Sequence, residues 1–160
     1  MVKLEANLQF MFNEYELIDR YEQASKAGFK GVELQAPYSL EKDQILEKLE
    51  THNLKHVIIN LPVNDPETDQ ENLALIPDKK DLFLERLDLG ISYASTLGCI
   101  GVNTGIGAKP QGFDDEEIFE TLVENQRIAS EKLAEKNIKA LIEPINTVDP
   151  FGDTDPPSGQ

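Results

Sequence analysis

Along most of this chain, stretches with the two-residue period of a β-strand alternate with stretches of helical period. That alternation constrains the fold more than any other feature. Residues 3–12, "KLEANLQFMF", alternate imperfectly and read as the first strand. The following "EYELIDRYEQASKAG" places Leu17, Ile18, Tyr21 and Ala24 on one helical face. Asn13 and Glu16 have the spacing of a capping box, and Gly28 is placed as a left-handed stop. "KGVELQ" is a second strand, and Pro37 and Ser39 mark a turn. "LEKDQILEKLETH" then sets Leu40, Ile45, Leu46 and Leu49 on a helical stripe that Asn53 can end. The β-branched "LKHVIIN" is the third strand.

A longer connection, "LPVNDPETDQENLALIPD", follows, and loops of this length in a domain are often functional. The next helix turns Phe83, Leu84, Leu87, Ile91 and Ala94 inward, and "CIGVNT" is the fourth strand. After the loop "GIGAKPQGF" comes the longest helix, "DDEEIFETLVENQRIASEKLAEKN", whose acidic first turn suits the positive end of its dipole. "IKALIE" is the fifth strand. From Thr147 onward "TVDPFGDTDPPSGQ" supports neither helix nor strand. One structural unit is therefore expected over residues 1–149, with 150–160 a disordered tail. No internal repeat or low-complexity tract is present.

Five strands and four helices in strict alternation fit two architectures. One is an open doubly wound parallel sheet, complete at five strands. The other is the first part of a (β/α)₈ barrel. Pattern alone favours the open sheet, because it leaves nothing missing.

The chain carries 30 acidic against 15 basic residues, a formal net charge of −15. Such a surface repels phosphate backbones and anionic lipid, so neither nucleic acid nor a membrane surface is an expected partner. A single cysteine, Cys99, excludes an intrachain disulfide and favours a reducing compartment. The first residues lack the apolar run of a signal peptide, and no stretch approaches the ~20 apolar residues of a spanning helix. A soluble cytoplasmic protein is the expectation.

Most of the reactive residue types have an unremarkable reading. "TGIGAKP" has a Gly-x-Gly after a strand, but lacks the third glycine of a dinucleotide loop and the Lys-Ser/Thr ending of a Walker loop. His52 and His56 have the four-residue spacing of a zinc pair, but only on a continuous helix, which Asn53 interrupts. Cys99 opens a strand with no basic neighbour or histidine partner in sequence, so a small buried residue is expected there. No Gly-x-Ser-x-Gly elbow is present.

Glu143 is different. It ends an apolar strand, so its carboxylate is expected to be surrounded by buried groups, where it would need a cation or a metal. In parallel α/β proteins, ligands bind at the carboxyl ends of strands. The same edge is expected to hold Glu33 with Gln35, Asn60, and Asn103 with Thr104. Capping a loop backbone is the plainer role for Glu143, and both stay open on pattern.

Several of these stretches together resemble a known family. "EANLQFMF", "AGFKGVELQAPY", the strand ending at Asn60 before a Pro loop, "YASTLGC" and above all "LIEPINTVD" look like hydroxypyruvate isomerases. These form a small-sugar-acid branch of the xylose-isomerase-like TIM barrels. The resemblance covers residues 4–149 and implies that the five strands are the first five of a partial (β/α)₈ barrel. It further implies an aldose–ketose isomerase interconverting hydroxypyruvate and tartronate semialdehyde through a metal-stabilised enediolate.

Only Glu143 matches the family's site, as a metal ligand and as one of two acid/base carboxylates. The cofactor implied is a divalent cation, Mg²⁺ or Mn²⁺, and the substrate a small 2-oxo or hydroxy acid. Family members often have a histidine at the end of strand four where this chain has Asn103, which is therefore left out of the site. The second glutamate and the remaining ligands are expected to lie outside this chain. Three readings follow: an isomerase piece inactive alone, a half-barrel completed by a homodimer or a complementing chain, or a non-catalytic binding or assembly module.

Overall fold

The computed structural model describes residues 3–62, 72–105 and 109–143. Among these residues six short parallel strands and four α-helices follow one another, with the third and fourth strands adjacent. They are β1 (Glu5–Asn7), α1 (Arg20–Lys26), β2 (Gly31–Glu33), α2 (Lys42–His52), β3 (Lys55–His56), β4 (Ile58–Asn60), α3 (Lys80–Leu97), β5 (Gly101–Asn103), α4 (Asp115–Ala134) and β6 (Lys139–Leu141). β1 pairs with β2 and β2 with β3; β4 pairs with β5 and β5 with β6.

The two triplets are joined through the extended run 55–60, the single strand expected from "LKHVIIN". On one side Val57 N–H donates to Val32 O and Asn60 N–H to Gln35 O, both at 2.9 Å. On the other side Ile100 N–H donates to Val57 O at 2.9 Å and Leu61 N–H to Asn103 O at 2.8 Å. Buried positions shift parity within the run, from Leu54 and His56 to Ile59 and Leu61. The run therefore changes face at Val57–Ile58, a local disruption of the kind a bulge produces.

Within each triplet the strands pair in sequence order, and among the described residues that order never reverses. A doubly wound sheet needs a switch point where the order reverses. Its absence decides for the barrel arrangement over the open sheet that pattern alone favoured. The helices agree, because α1 packs on α2, α2 on α3 and α3 on α4 in a single layer.

The core lies between that layer and the outer face of the sheet. Ala6, Leu8, Val32, Leu34, Ile59 and Val102 point outward to meet Tyr21, Ile45, Leu49, Phe83, Leu87 and Leu133, all nearly inaccessible. Each large apolar side chain buried this way contributes about 1.5–3 kcal/mol. The helical stripes read from periodicity are the buried ones, with Leu17, Ile18, Leu40, Leu46, Leu84 and Ile91 packed at the margin, Leu17 and Ile18 in a 3₁₀ turn rather than in α1.

Gly28 and Asn53 stop α1 and α2 with positive φ (94° and 50°), as their positions predict. The capping box at Asn13 does not form. The Arg20 guanidinium takes the Asn13 side-chain oxygen instead, at 2.7 Å, and the helix begins only at Arg20 after a 3₁₀ turn. A capping box does open α4, where Asp114 accepts from Glu117 N–H and Glu117 accepts from Asp114 N–H. The connection read as a loop is partly core, since Leu73, Ala74, Leu75 and Ile76 are buried. Residues 63–71, 106–108 and 144–160, the expected tail among them, lie outside the described residues.

Candidate active site

Parallel strands that all point one way bring their C-terminal ends to one rim, and no helix among the described residues covers the inner face of the sheet. Side chains of opposite parity to the core therefore converge there. They line a cavity of about 360 Å³. Asn7, Glu33 and Gln35 come from β1, β2 and the turn after β2; Ile58, Asn60 and Asn103 from β4 and β5; Leu141, Ile142 and Glu143 from the end of β6.

Leu141 fits because Gly101 lies opposite it, where a Cβ would come within 2.7 Å of Leu141 Cδ1. Four of the rim residues expected from sequence, Glu33, Gln35, Asn60 and Asn103, are thus brought together with Glu143. Thr104 is not among them. It is buried on the helix-facing side, with its hydroxyl 2.6 Å from Gln126 Oε1 on α4.

Glu143 is exposed rather than buried, which corrects the expectation drawn from its apolar strand. It follows the edge strand β6, which has no further strand beside it among the described residues. Its partner is Asn103, whose Nδ2 donates to Glu143 Oε2 at 3.0 Å. The orientation of that amide is fixed from behind, because Asn103 Oδ1 accepts from Gly105 N–H at 3.1 Å. Asn103 therefore belongs to the site, a residue that sequence reasoning set aside. The signal for it was its place at the end of a strand adjacent to Glu143.

Across the cavity a second carboxylate is held in a similar way. Asn7 Nδ2 donates to Glu33 Oε1 at 3.2 Å, and the nearby Gln35 side chain favours the charged form. Burial is the largest influence on Glu33 and raises its pKa; the charge of Glu5 adds to the rise, Gln35 opposes it, and the charge of Glu143 adds a smaller part. Among the described residues, no group of three or more His, Cys, Asp or Glu is placed to hold a metal ion. Glu143 would be a single ligand here, and one carboxylate does not make a divalent-cation site.

Neither histidine reaches the rim. His52 ends α2, and His56 lies in β3 on the helix-facing side. His56 is buried with its Nδ1 3.7 Å from Cys99 Sγ, so Cys99 does have a histidine partner, supplied by the fold rather than by sequence proximity. Burial holds both groups neutral: it lowers His56 to about 4 and raises the Cys99 thiol to about 12. That is the reverse of an activated thiolate pair.

Residues 21–155 match the family described as "Xylose isomerase-like TIM barrel". The chain belongs to the xylose isomerase-like TIM barrel family. Hydroxypyruvate isomerase of Escherichia coli (strain K12) is 38% identical over 149 residues, which are 93% of this chain and 58% of that protein. The 2-oxo-tetronate isomerase of Haemophilus influenzae is 36% identical over 146 residues, 91% of this chain and 57% of its own length. A crystal structure of an AP endonuclease, family 2, from Brucella melitensis superposes with a TM-score of 0.85 at 36% identity, over 92% of this chain and 57% of that one. This xylose isomerase-like chain thus spans little more than half the length of the relatives it matches. No helix among its described residues is long and apolar enough to cross a membrane.

Proposed function

We propose that this chain supplies part of the active site of an aldose–ketose isomerase acting on a small 2-oxo acid such as hydroxypyruvate. The observation that carries the reading is the Asn103–Glu143 pair at the C-terminal rim of the strands. The names of the two relatives at 36–38% identity support it. In the isomerisation a proton leaves C3 of hydroxypyruvate, the C–H electron pair becomes the C2–C3 double bond, and the C2 carbonyl pair moves onto its oxygen, which takes a proton from solvent to complete the enediol. The carboxylate then returns its proton to C2, while the C3 hydroxyl gives its own back to solvent and becomes the aldehyde. Nothing is consumed: one carboxylate carries the proton from carbon to carbon, and solvent balances the proton moved from the C3 to the C2 oxygen.

Asn103 occupies Glu143 Oε2. Oε1 is then the oxygen that faces the substrate carbon. An amide donor held in place by Gly105 orients the base without neutralising it. The divalent cation of the family would bind the substrate oxygens, and further ligands would have to join Glu143 to hold it; no step here depends on it. A phosphodiester, the substrate class of an endonuclease such as the Brucella protein is named for, is poorly matched by a rim with two carboxylates on a chain of net charge −15.

The test is isomerisation of hydroxypyruvate by the purified 160-residue chain with Mg²⁺ or Mn²⁺, beside Glu143→Gln. Turnover lost in the variant supports the reading. Turnover unchanged by the variant removes Glu143 from the chemistry and overturns it.

A second reading, a half-barrel that binds another copy or a complementing chain, is favoured by one observation. Phe119 and Val123 on α4 and Ile142 just after the edge strand are all exposed large apolar residues. An apolar flank next to an open sheet edge is a surface for assembly.

A further inference from the structure

We propose that Glu33 is a specificity residue that accepts hydrogen bonds from substrate hydroxyl groups beyond the reacting carbons, so that the site prefers polyhydroxylated four-carbon acids to deoxy ones. This deepens the isomerase reading and rests on it. Glu33 lies in the cavity on the side opposite Glu143, held by Asn7 Nδ2 at 3.2 Å, with Gln35 lining the same cavity. The Asn7 amide braces one carboxylate oxygen but supplies no positive charge. Among the described residues it has no salt-bridge partner, and no lysine or arginine lines the cavity.

A half-buried carboxylate without a cation is costly for a fold, and a purely structural position would be served by an amide or an apolar side chain. Its remaining lone pairs face the cavity, where donors on a bound ligand can take them. Asn60 sits between the two carboxylates on the same rim, and its side-chain amide makes no hydrogen bond among the described residues.

Two braced acceptors, one open amide and no cation describe a complement to a neutral hydroxylated chain. An anionic end would be repelled by Glu33. The substrate therefore lies with its hydroxylated end toward β1 and β2 and its carboxylate turned away. Each hydroxyl that Glu33 accepts is a charge-assisted hydrogen bond, which an analogue lacking the hydroxyl leaves unmade.

The experiment measures binding of erythronate and of 2-hydroxybutanoate to the full chain by calorimetry. These unreactive four-carbon acids differ in two hydroxyls. The wild type is expected to bind erythronate at least about tenfold more tightly, the worth of one hydrogen bond to a charged group. The gap should close in Glu33→Gln and narrow in Asn7→Ala, which keeps the carboxylate but loosens it. Equal affinity for the two acids, no binding of either, or a gap that survives both substitutions overturns the proposal.

Hydroxypyruvate turnover measured on the same samples separates the two ideas. Turnover that depends on Glu143 alongside a Glu33-independent gap removes this inference and leaves the isomerase reading standing. A Glu33-dependent gap in a chain whose turnover ignores Glu143 keeps the hydroxyl-reading role and removes the isomerase.

Discussion

Asn103 Nδ2 lies 3.0 Å from Glu143 Oε2 while its Oδ1 accepts from Gly105 N–H, so a single side chain ties the turn after β5 to the carboxylate after β6. Asn103→Leu removes both bonds and lets Glu143 swing into solvent, since nothing else described holds it. In the isomerisation assay kcat should fall about 10²-fold with KM little changed, the cost of misplacing a catalytic group. Because the two residues act as a unit, Asn103→Leu combined with Glu143→Gln should be no slower than Glu143→Gln alone. Additive losses would mean that Asn103 works on something other than Glu143.

The buried imidazole makes stability depend on pH. His56 sits near 4 in the folded chain against an ordinary 6.5, because burial disfavours its charge; a backbone hydrogen bond at Ile58 pulls weakly the other way. Its neighbours, the Tyr21 ring 6.1 Å away and the Cys99 thiol, are uncharged and offer a proton no compensation. The neutral form is thus favoured by folding. Its contribution is complete above pH 6.5 and is lost as pH falls toward 4. Linkage puts the loss at about 3 kcal/mol. Glu33, whose pKa is raised, works in the opposite direction, losing stability as pH rises through its folded value, and its partial exposure keeps that effect small. Urea unfolding of wild type and His56→Leu at pH 7 and pH 4 should show the difference between them shifting by that amount. A constant difference would mean that His56 titrates normally.

Gly90 brings α3 close to Leu61, just after β4. A Cβ there would come within 2.3 Å of Leu61 Cδ2, and Leu61 is buried directly after β4. Gly90→Ala gains helix propensity but overpacks this contact, a net loss of about 1–2 kcal/mol or roughly 5 °C in melting temperature. Leu61→Val in the same chain should recover part of the loss. If Gly90→Ala instead raises the melting temperature, α3 has room to move outward.

The elements of this fold were legible because each depends on local period. Tyr21, Ala24, Ile45, Leu49, Phe83 and Leu87 are buried where helical spacing places them. The choice between barrel and open sheet was not legible from period, since strand order is set by long-range pairing; the residues of the family resemblance supplied it. The site was half legible. Strand ends identify Glu33, Gln35, Asn60 and Glu143, but parity alone does not say that Thr104 turns to α4 while Asn103 turns to the cavity. Glu143 was misjudged as buried because apolar neighbours along a strand do not ensure cover at a sheet edge. The contact between Cys99 and His56, 43 residues apart, comes from strands that a sequence does not show to be adjacent.

The open edge yields the last prediction. On α4 the flank that carries Glu124 and Lys132 faces α3, where they pair with Lys80 and Asp88 at 2.6 Å. Phe119 and Val123 lie on the other flank, 64% and 52% exposed, and the edge strand ends beside Ile142. A flank of this kind joined to an unpaired strand is covered when a further strand and helix add in parallel, burying apolar area and satisfying the strand's hydrogen bonds at once. If a second copy supplies that cover, sedimentation of the full chain at micromolar concentration should show a dimer. Phe119→Glu with Val123→Lys should dissociate it and leave the circular dichroism spectrum unchanged, because neither side chain belongs to the core. A wild-type chain that sediments as a monomer excludes self-completion, and it leaves this flank to a different polypeptide or to open solvent.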